Sequence, residues 1–132
     1  NSVWATGKAS VKEIENINIH YASLLAMKRA IKKLKIKPTL VLIDGNKLLE
    51  IKNYNQKCII KGDQKIPSIS AASIIAKVTR DKIITNLGKK FKGYFWEKNS
   101  GYGTKDHLKA IRKLGTTVHH RKTFSPINKI IK

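Results

Sequence analysis

The run Thr39-Leu40-Val41-Leu42-Ile43 constrains the fold more than any other feature of this sequence. It is continuous, apolar and partly β-branched, the composition of a strand buried on both faces, and such strands belong to parallel sheets covered by helices. It stops abruptly at Asp44-Gly45-Asn46. A second run, Cys58-Ile59-Ile60, stops at Lys61-Gly62-Asp63. Two buried-type strands, each finishing on an aspartate and set among helical segments, predict a mostly parallel α/β sheet. Ligands in such sheets sit beyond the carboxyl ends of the strands. Asp44 and Asp63 are expected at that end, on adjacent strands, with carboxylates no more than about 10 Å apart if they serve one site.

The flanking segments supply the helices. Residues 2–9 carry Val3, Trp4 and Thr6 among small residues and read as a short strand. Ser10 and Glu13 then form a Ser-x-x-Glu capping box, in which each side chain satisfies the other's end of a helix amino terminus. Ile17, Tyr21, Leu24, Met27, Ile31 and Leu34 recur at helical spacing with lysines opposite, and Pro38 marks the stop. Pro67 suits the first turn of a long helix running to about Lys90. On that helix Ala72, Ala76, Thr79 and Ile83 share one face, and Ser70, Ser73, Lys77 and Arg80 share the adjacent one. After a loop rich in glycine and aromatics, Thr104 can cap a helix that ends at Leu114, before Gly115. The tail beyond is basic.

The 132 residues amount to one domain, and no linker-like stretch divides them. No apolar segment approaches the ~20 residues of a membrane span. The single cysteine, Cys58, makes no disulfide within the chain, a pattern that fits a reducing cytoplasm. Twenty-eight basic against eight acidic residues leave a net charge of +20, a field that attracts polyanions, nucleic acid foremost. All but four of the cations are lysine, a bias that AT-rich coding drift also produces.

Chemistry must come from few residues. Asp44 and Asp63 follow apolar runs, where a carboxylate loses solvation and needs a hydrogen bond, a cation or a metal to compensate. Asp-Gly and Gly-Asp are also ordinary turn signals. If the two converge, their hard oxygens suit Mg²⁺ or Mn²⁺, the ions that drive phosphodiester displacement. His20, His107, His119 and His120 show no zinc-ligand spacing, and His119-His120-Arg121-Lys122 reads as a basic surface segment. In Gly101-Tyr102-Gly103-Thr104 the glycines permit close backbone approach and the ring can stack on a sugar or base.

Several ordered blocks carry a further signal. These are Ile43-Asp44-Gly45-Asn46, Lys61-Gly62-Asp63, the serine-rich stretch from Ile69 to Asp81, Gly101-Tyr102-Gly103-Thr104 with His107-Leu108, and His120-Arg121-Lys122-Thr123-Phe124 with Pro126. Together they closely resemble bacterial ribonuclease HII over nearly the whole chain. The resemblance implies a ribonuclease H-like α/β fold and metal-dependent cleavage of RNA in RNA/DNA hybrids and at single ribonucleotides in duplex DNA. It implies Mg²⁺ or Mn²⁺ on Asp44 and Asp63, which match two of the family's four metal-binding carboxylates. It also implies ribose recognition by Tyr102, while the helix face of Ser70, Ser73, Lys77 and Arg80 can by its own chemistry present hydroxyls and cations to the phosphates of nucleic acid.

The family's Asp-Glu-Ala-Gly-Arg-Gly segment, which carries the other two carboxylates, has no counterpart in this sequence. The expectation is therefore a single partial domain over residues 1–132, with a sheet missing its first two strands and a helix-rich carboxy-terminal half. Residues 2–9 are its third strand, and a separate amino-terminal fragment is a partner that would complete it. Alone, the chain is expected not to cleave. The alternative is a non-catalytic basic module that binds hybrid or duplex nucleic acid.

Overall fold

The computed structural model describes residues 2–131. An extended segment leads into α1 (Val11–Lys33), followed by β1 (Val41–Asp44), β2 (Gln56–Ile59), the single turn α2 (Gly62–Lys65) and the long α3 (Pro67–Lys90). Then come α4 (Trp96–Asn99), α5 (Lys105–Leu114) and α6 (Ile127–Ile130). The strands pair in parallel, with Val41 opposite Gln56 and Asp44 opposite Ile59.

The caps read from sequence are present. Ser10 Oγ accepts from the Glu13 N–H while Glu13 Oε2 accepts from the Ser10 N–H at 2.8 Å, a reciprocal closure whose capping half alone contributes ~1 kcal/mol. Pro67 opens α3, and Thr104 caps α5, which ends at Gly115 with φ 81°.

Three expectations need correction. Residues 2–9 form no strand, because no neighbouring strand offers its backbone a ladder among the described residues. The segment lies instead against α1. A Cβ on Gly7 would run into the Ala26 carbonyl and come within 2.5 Å of the Ala30 nitrogen, and Arg29 holds the Lys8 carbonyl at 2.8 Å. The α1 stripe is interrupted at Asn18, whose φ of 68° is non-helical and whose Oδ1 caps a new start by accepting from the Tyr21 N–H at 3.1 Å. Leu24, Met27 and Ile31 beyond the break pack on Val41, Ile43 and Leu49, whereas Ile17 and Tyr21 stay exposed. Finally, β2 is not buried on both faces: Lys57 is exposed and its neighbours are half-buried, because the cluster beside this sheet is built on Val41, Ile43 and Leu49 and takes only Cys58 from β2.

A second core lies around α5. Tyr94, Trp96, Ala110 and Ile111 are buried there, and Ile84, Leu87 and Phe91 from the end of α3 close over them. The middle of α3 touches neither core. Ala72, Ile74, Ala76 and Val78 are exposed, so α3 is small and apolar on sides that have no partner. Exposed apolar side chains such as Ile74 and Val78 leave part of this helix surface uncovered.

Candidate metal centre and nucleic-acid interface

The Asp44 side chain reaches the first residue of α2, one position before Asp63. One Asp44 carboxylate oxygen, Oδ1, accepts a 2.9 Å hydrogen bond from the Gly62 N–H, and Asp63 is the next residue. Gly62 is the first residue of α2, and the preceding Lys61, left-handed at φ 54°, provides no side-chain cap. Asp44 thus caps α2 across the fold, satisfying a donor that the helix itself leaves free. Asp63 stands in the first turn of that helix rather than at a strand end. β2 stops at Ile59, and the chain must turn at Lys61 before Asp63 is reached.

Gly62 is closely packed. It is buried, and a Cβ there would meet Ile69 Cδ1 at 2.7 Å and Ile59 Cβ at 3.4 Å. A side chain there would force the tip of the buried Ile69 to move aside. Both aspartates are exposed, so oxygens not used in capping face solvent.

The donor set fits a hard cation. Two exposed carboxylates suffice for Mg²⁺ or Mn²⁺, which keep most of their water and take one or two protein carboxylates plus substrate oxygens. No group of three or more His, Cys, Asp or Glu side chains among the described residues is arranged to hold a metal. Glu13 and Glu15 are occupied elsewhere. Glu13 accepts from Arg29 and Ser10, which hold its carboxyl down at about 2, and Glu15 accepts from the Lys122 N–H at 2.9 Å.

The residues expected to meet nucleic acid divide. Ser73 and Lys77 are exposed on α3 and Ser70 is half-buried. Arg80 is drawn toward the Tyr102 loop: its Nη1 donates to the Ser100 carbonyl at 3.0 Å and its guanidinium lies 5.5 Å from the Tyr102 ring centroid. Tyr102 is 63% exposed, its ring offered to solvent. His120, expected on a basic surface, is instead buried at 4% exposure against Tyr94 and Trp96. Its ring is apolar enough to join the aromatic cluster once its nitrogens are bonded.

An open groove lies beside the sheet. A cavity of about 730 Å³ opens between α1 and α3. Ala26 and Ala30 of α1 form one wall, Ala72, Ala76 and Thr79 of α3 another, and residues 5–9 with Leu40, Leu42, Ile43 and Asp44 its borders. Val41 and Gly45 donate toward β2, so by the alternation of a parallel ladder the backbone groups of Leu42 and Asp44 point the other way, into this groove.

A small parallel sheet, a helix on each side of the open space beside it and an aspartate at the strand end define a ribonuclease H-like α/β fold. The structure matches the crystal structure of the ribonuclease H2 from Pyrococcus horikoshii OT3 with a TM-score of 0.68 at 27% identity, over 92% of this chain and 65% of that one. Residues 3–126 match the family model of ribonuclease HII, and the chain belongs to that family. It is 71% identical over 131 residues to a ribonuclease HII of Pelagibacter ubique, spanning 99% of this chain and 70% of that protein. To the ribonuclease HII of Roseobacter denitrificans it is 49% identical, spanning 96% of this chain and 64% of that protein.

Proposed function

We propose that this chain is the part of a ribonuclease HII that carries Asp44 and Asp63. In this reading it is one partial domain of a cytoplasmic, metal-dependent endonuclease. Its substrates are RNA in RNA/DNA hybrids and single ribonucleotides within duplex DNA. The observation that carries the reading is the hydrogen bond from Gly62 to Asp44, which ties one family-matched aspartate to the residue next to the other. Asp44 and Asp63 would hold Mg²⁺ or Mn²⁺. When bound, such a cation polarises the phosphodiester and offsets the charge that builds on its oxygens.

The chain's own residues do the rest. Ser70, Ser73 and Lys77 offer hydroxyls and a cation to phosphates, contacts that fix register without reading sequence. Arg80 supports the loop from which Tyr102 packs against the ribose of the ribonucleotide. The groove between α1 and α3 supports the need for a completing segment. It has the layout of a missing pair of strands, with helices on both faces and unpaired extended backbone at its borders. An amino-terminal segment supplying those strands, in the same polypeptide or as a separate fragment, would finish the sheet and add carboxylates beside Asp44.

The test is cleavage of a duplex carrying one ribonucleotide, with Mg²⁺ or Mn²⁺, by the 132-residue chain with and without the amino-terminal segment of the Pelagibacter relative. Cleavage only with the segment supports the proposal. Salt-sensitive binding without cleavage in both arms favours the second reading, a basic nucleic-acid-binding module, to which the +20 charge also points.

A further inference from the structure

Behind Tyr102 lies a chain of buried polar contacts that none of the roles above uses. The Tyr102 carbonyl lies 2.8 Å from His107 Nδ1. A carbonyl only accepts, so Nδ1 carries the proton. The opposite nitrogen, His107 Nε2, lies 3.0 Å from Trp96 Nε1. An indole N–H only donates, so Nε2 is bare. The two contacts admit one form of His107, the neutral ring protonated on Nδ1. His120 is constrained in the same way: its Nδ1 accepts from the Thr117 N–H at 2.9 Å, which leaves the proton on Nε2, 3.4 Å from His107 Nε2. Burial, with His107 and His119 nearby, pushes the His120 imidazole down to about 4, in keeping with a neutral ring.

His107, His120 and Trp96 are all under 5% exposed, yet the loop they support is open. Its other anchors lead back to the same core. The Tyr102 N–H donates to the Asn99 carbonyl at 2.8 Å, and buried Asn99 spans from the Gly101 N–H to the Tyr94 carbonyl. Gly101, at φ 82°, and Gly103 flank the tyrosine, so its backbone has little stiffness of its own. A rotor between two glycines keeps one orientation only if its carbonyl and N–H are both held.

We propose that His107, itself fixed by Trp96 and His120, is the positioning residue that sets Tyr102 for ribose recognition. The inference rests on the proposed role of Tyr102, but the geometric half of it can be tested separately. It concerns Nδ1 alone, so the two amide substitutions at position 107 should differ. His107→Asn places an N–H near the Nδ1 position and can still hold the carbonyl. His107→Gln reaches the Nε2 position and cannot.

The experiment is NMR on the chain labelled with ¹⁵N, joined to binding of a duplex with one ribonucleotide and of its all-DNA counterpart. In the unmutated chain, the imidazole spectrum is expected to show His107 protonated on Nδ1, His120 protonated on Nε2, and a rigid Tyr102 amide. His107→Gln should loosen that amide and lower the preference for the ribonucleotide to the level of Tyr102→Ala, while His107→Asn keeps more than half of it. A His107 ring protonated on Nε2, or a Tyr102 amide as rigid in His107→Gln as in the unmutated chain, overturns the inference. Should a variant fail to fold, the tautomers of the unmutated chain decide. If Tyr102→Ala leaves the preference unchanged, the ribose role of Tyr102 fails, and the imidazole and amide signals still decide what holds the loop.

Discussion

Lowering the pH from about 7.5 to about 5 is expected to cost the fold about 2 kcal/mol through one buried imidazole. His120 is depressed from 6.5 to about 4, chiefly by burial and secondarily by His107 and His119. Between those values the unfolded chain binds a proton that the folded chain refuses, so stability is intact above 6.5 and falls as the pH drops toward 4. At ~1.4 kcal/mol per pH unit the full loss is about 3.5 kcal/mol, reached below pH 4. Glu13 acts in a lower window. Its carboxyl, held at about 2 by Arg29 and Ser10, contributes stability above 4.5 that is lost as the pH falls toward 2. The assay is urea unfolding at several pH values between 7.5 and 4.5, on the unmutated chain and on His120→Gln. The variant loses the Thr117 contact and starts less stable, but its dependence on pH across that range should flatten. Equal slopes in the two proteins would show that His120 is not the group responsible.

Three further outcomes are expected. Asp44→Asn keeps an oxygen to accept from Gly62 and should leave stability within ~0.5 kcal/mol, yet lower cleavage by the completed enzyme at least ~100-fold, as read by gel assay; an active variant would remove Asp44 from the site. Affinity for duplex, followed by fluorescence anisotropy, should fall steeply with salt, and Lys77→Ala should reduce the log–log slope by about one; a flat response would discredit phosphate binding. Gly7→Val should destabilise the chain by ~1–3 kcal/mol in urea unfolding, because its side chain meets the α1 backbone at Ala26 and Ala30; an unchanged midpoint would mean that residues 5–9 do not pack as described.

Local signals in the sequence were legible wherever a few neighbouring residues decide the structure. Ser10 with Glu13, Pro67, Thr104 and Gly115 each mark a helix end through local geometry or a contact only three or four residues long, and all of these ends stand. Residues 2–9 failed for the opposite reason. Their composition suits a strand, but a strand exists only where another backbone pairs with it, and that is a property of the rest of the sheet. His120 was misread because its neighbours His119, Arg121 and Lys122 are polar, while its burial is set by Tyr94 and Trp96, more than twenty residues away. The kink at Asn18 left no trace in the apolar spacing, since the stripe resumes one turn later.

The candidate site was half legible for a related reason. Asp44 could be found because an apolar strand ends on it, and Asp63 because Lys-Gly-Asp follows a second apolar run, but nothing in either run shows how the two are joined. The joint is a single N–H at Gly62, presented to Asp44 by a left-handed Lys61. That joint lies on the β2 side of β1, where the fold is paired. The opposite side of β1 borders the groove, and Asp44 borders it too. Asp44 therefore stands between the completed and the open parts of the sheet, with one oxygen fixed toward α2. A strand laid along the open edge of β1 would end beside its carboxylate, which is where further oxygen ligands would have to arrive to share a cation with Asp44 and Asp63.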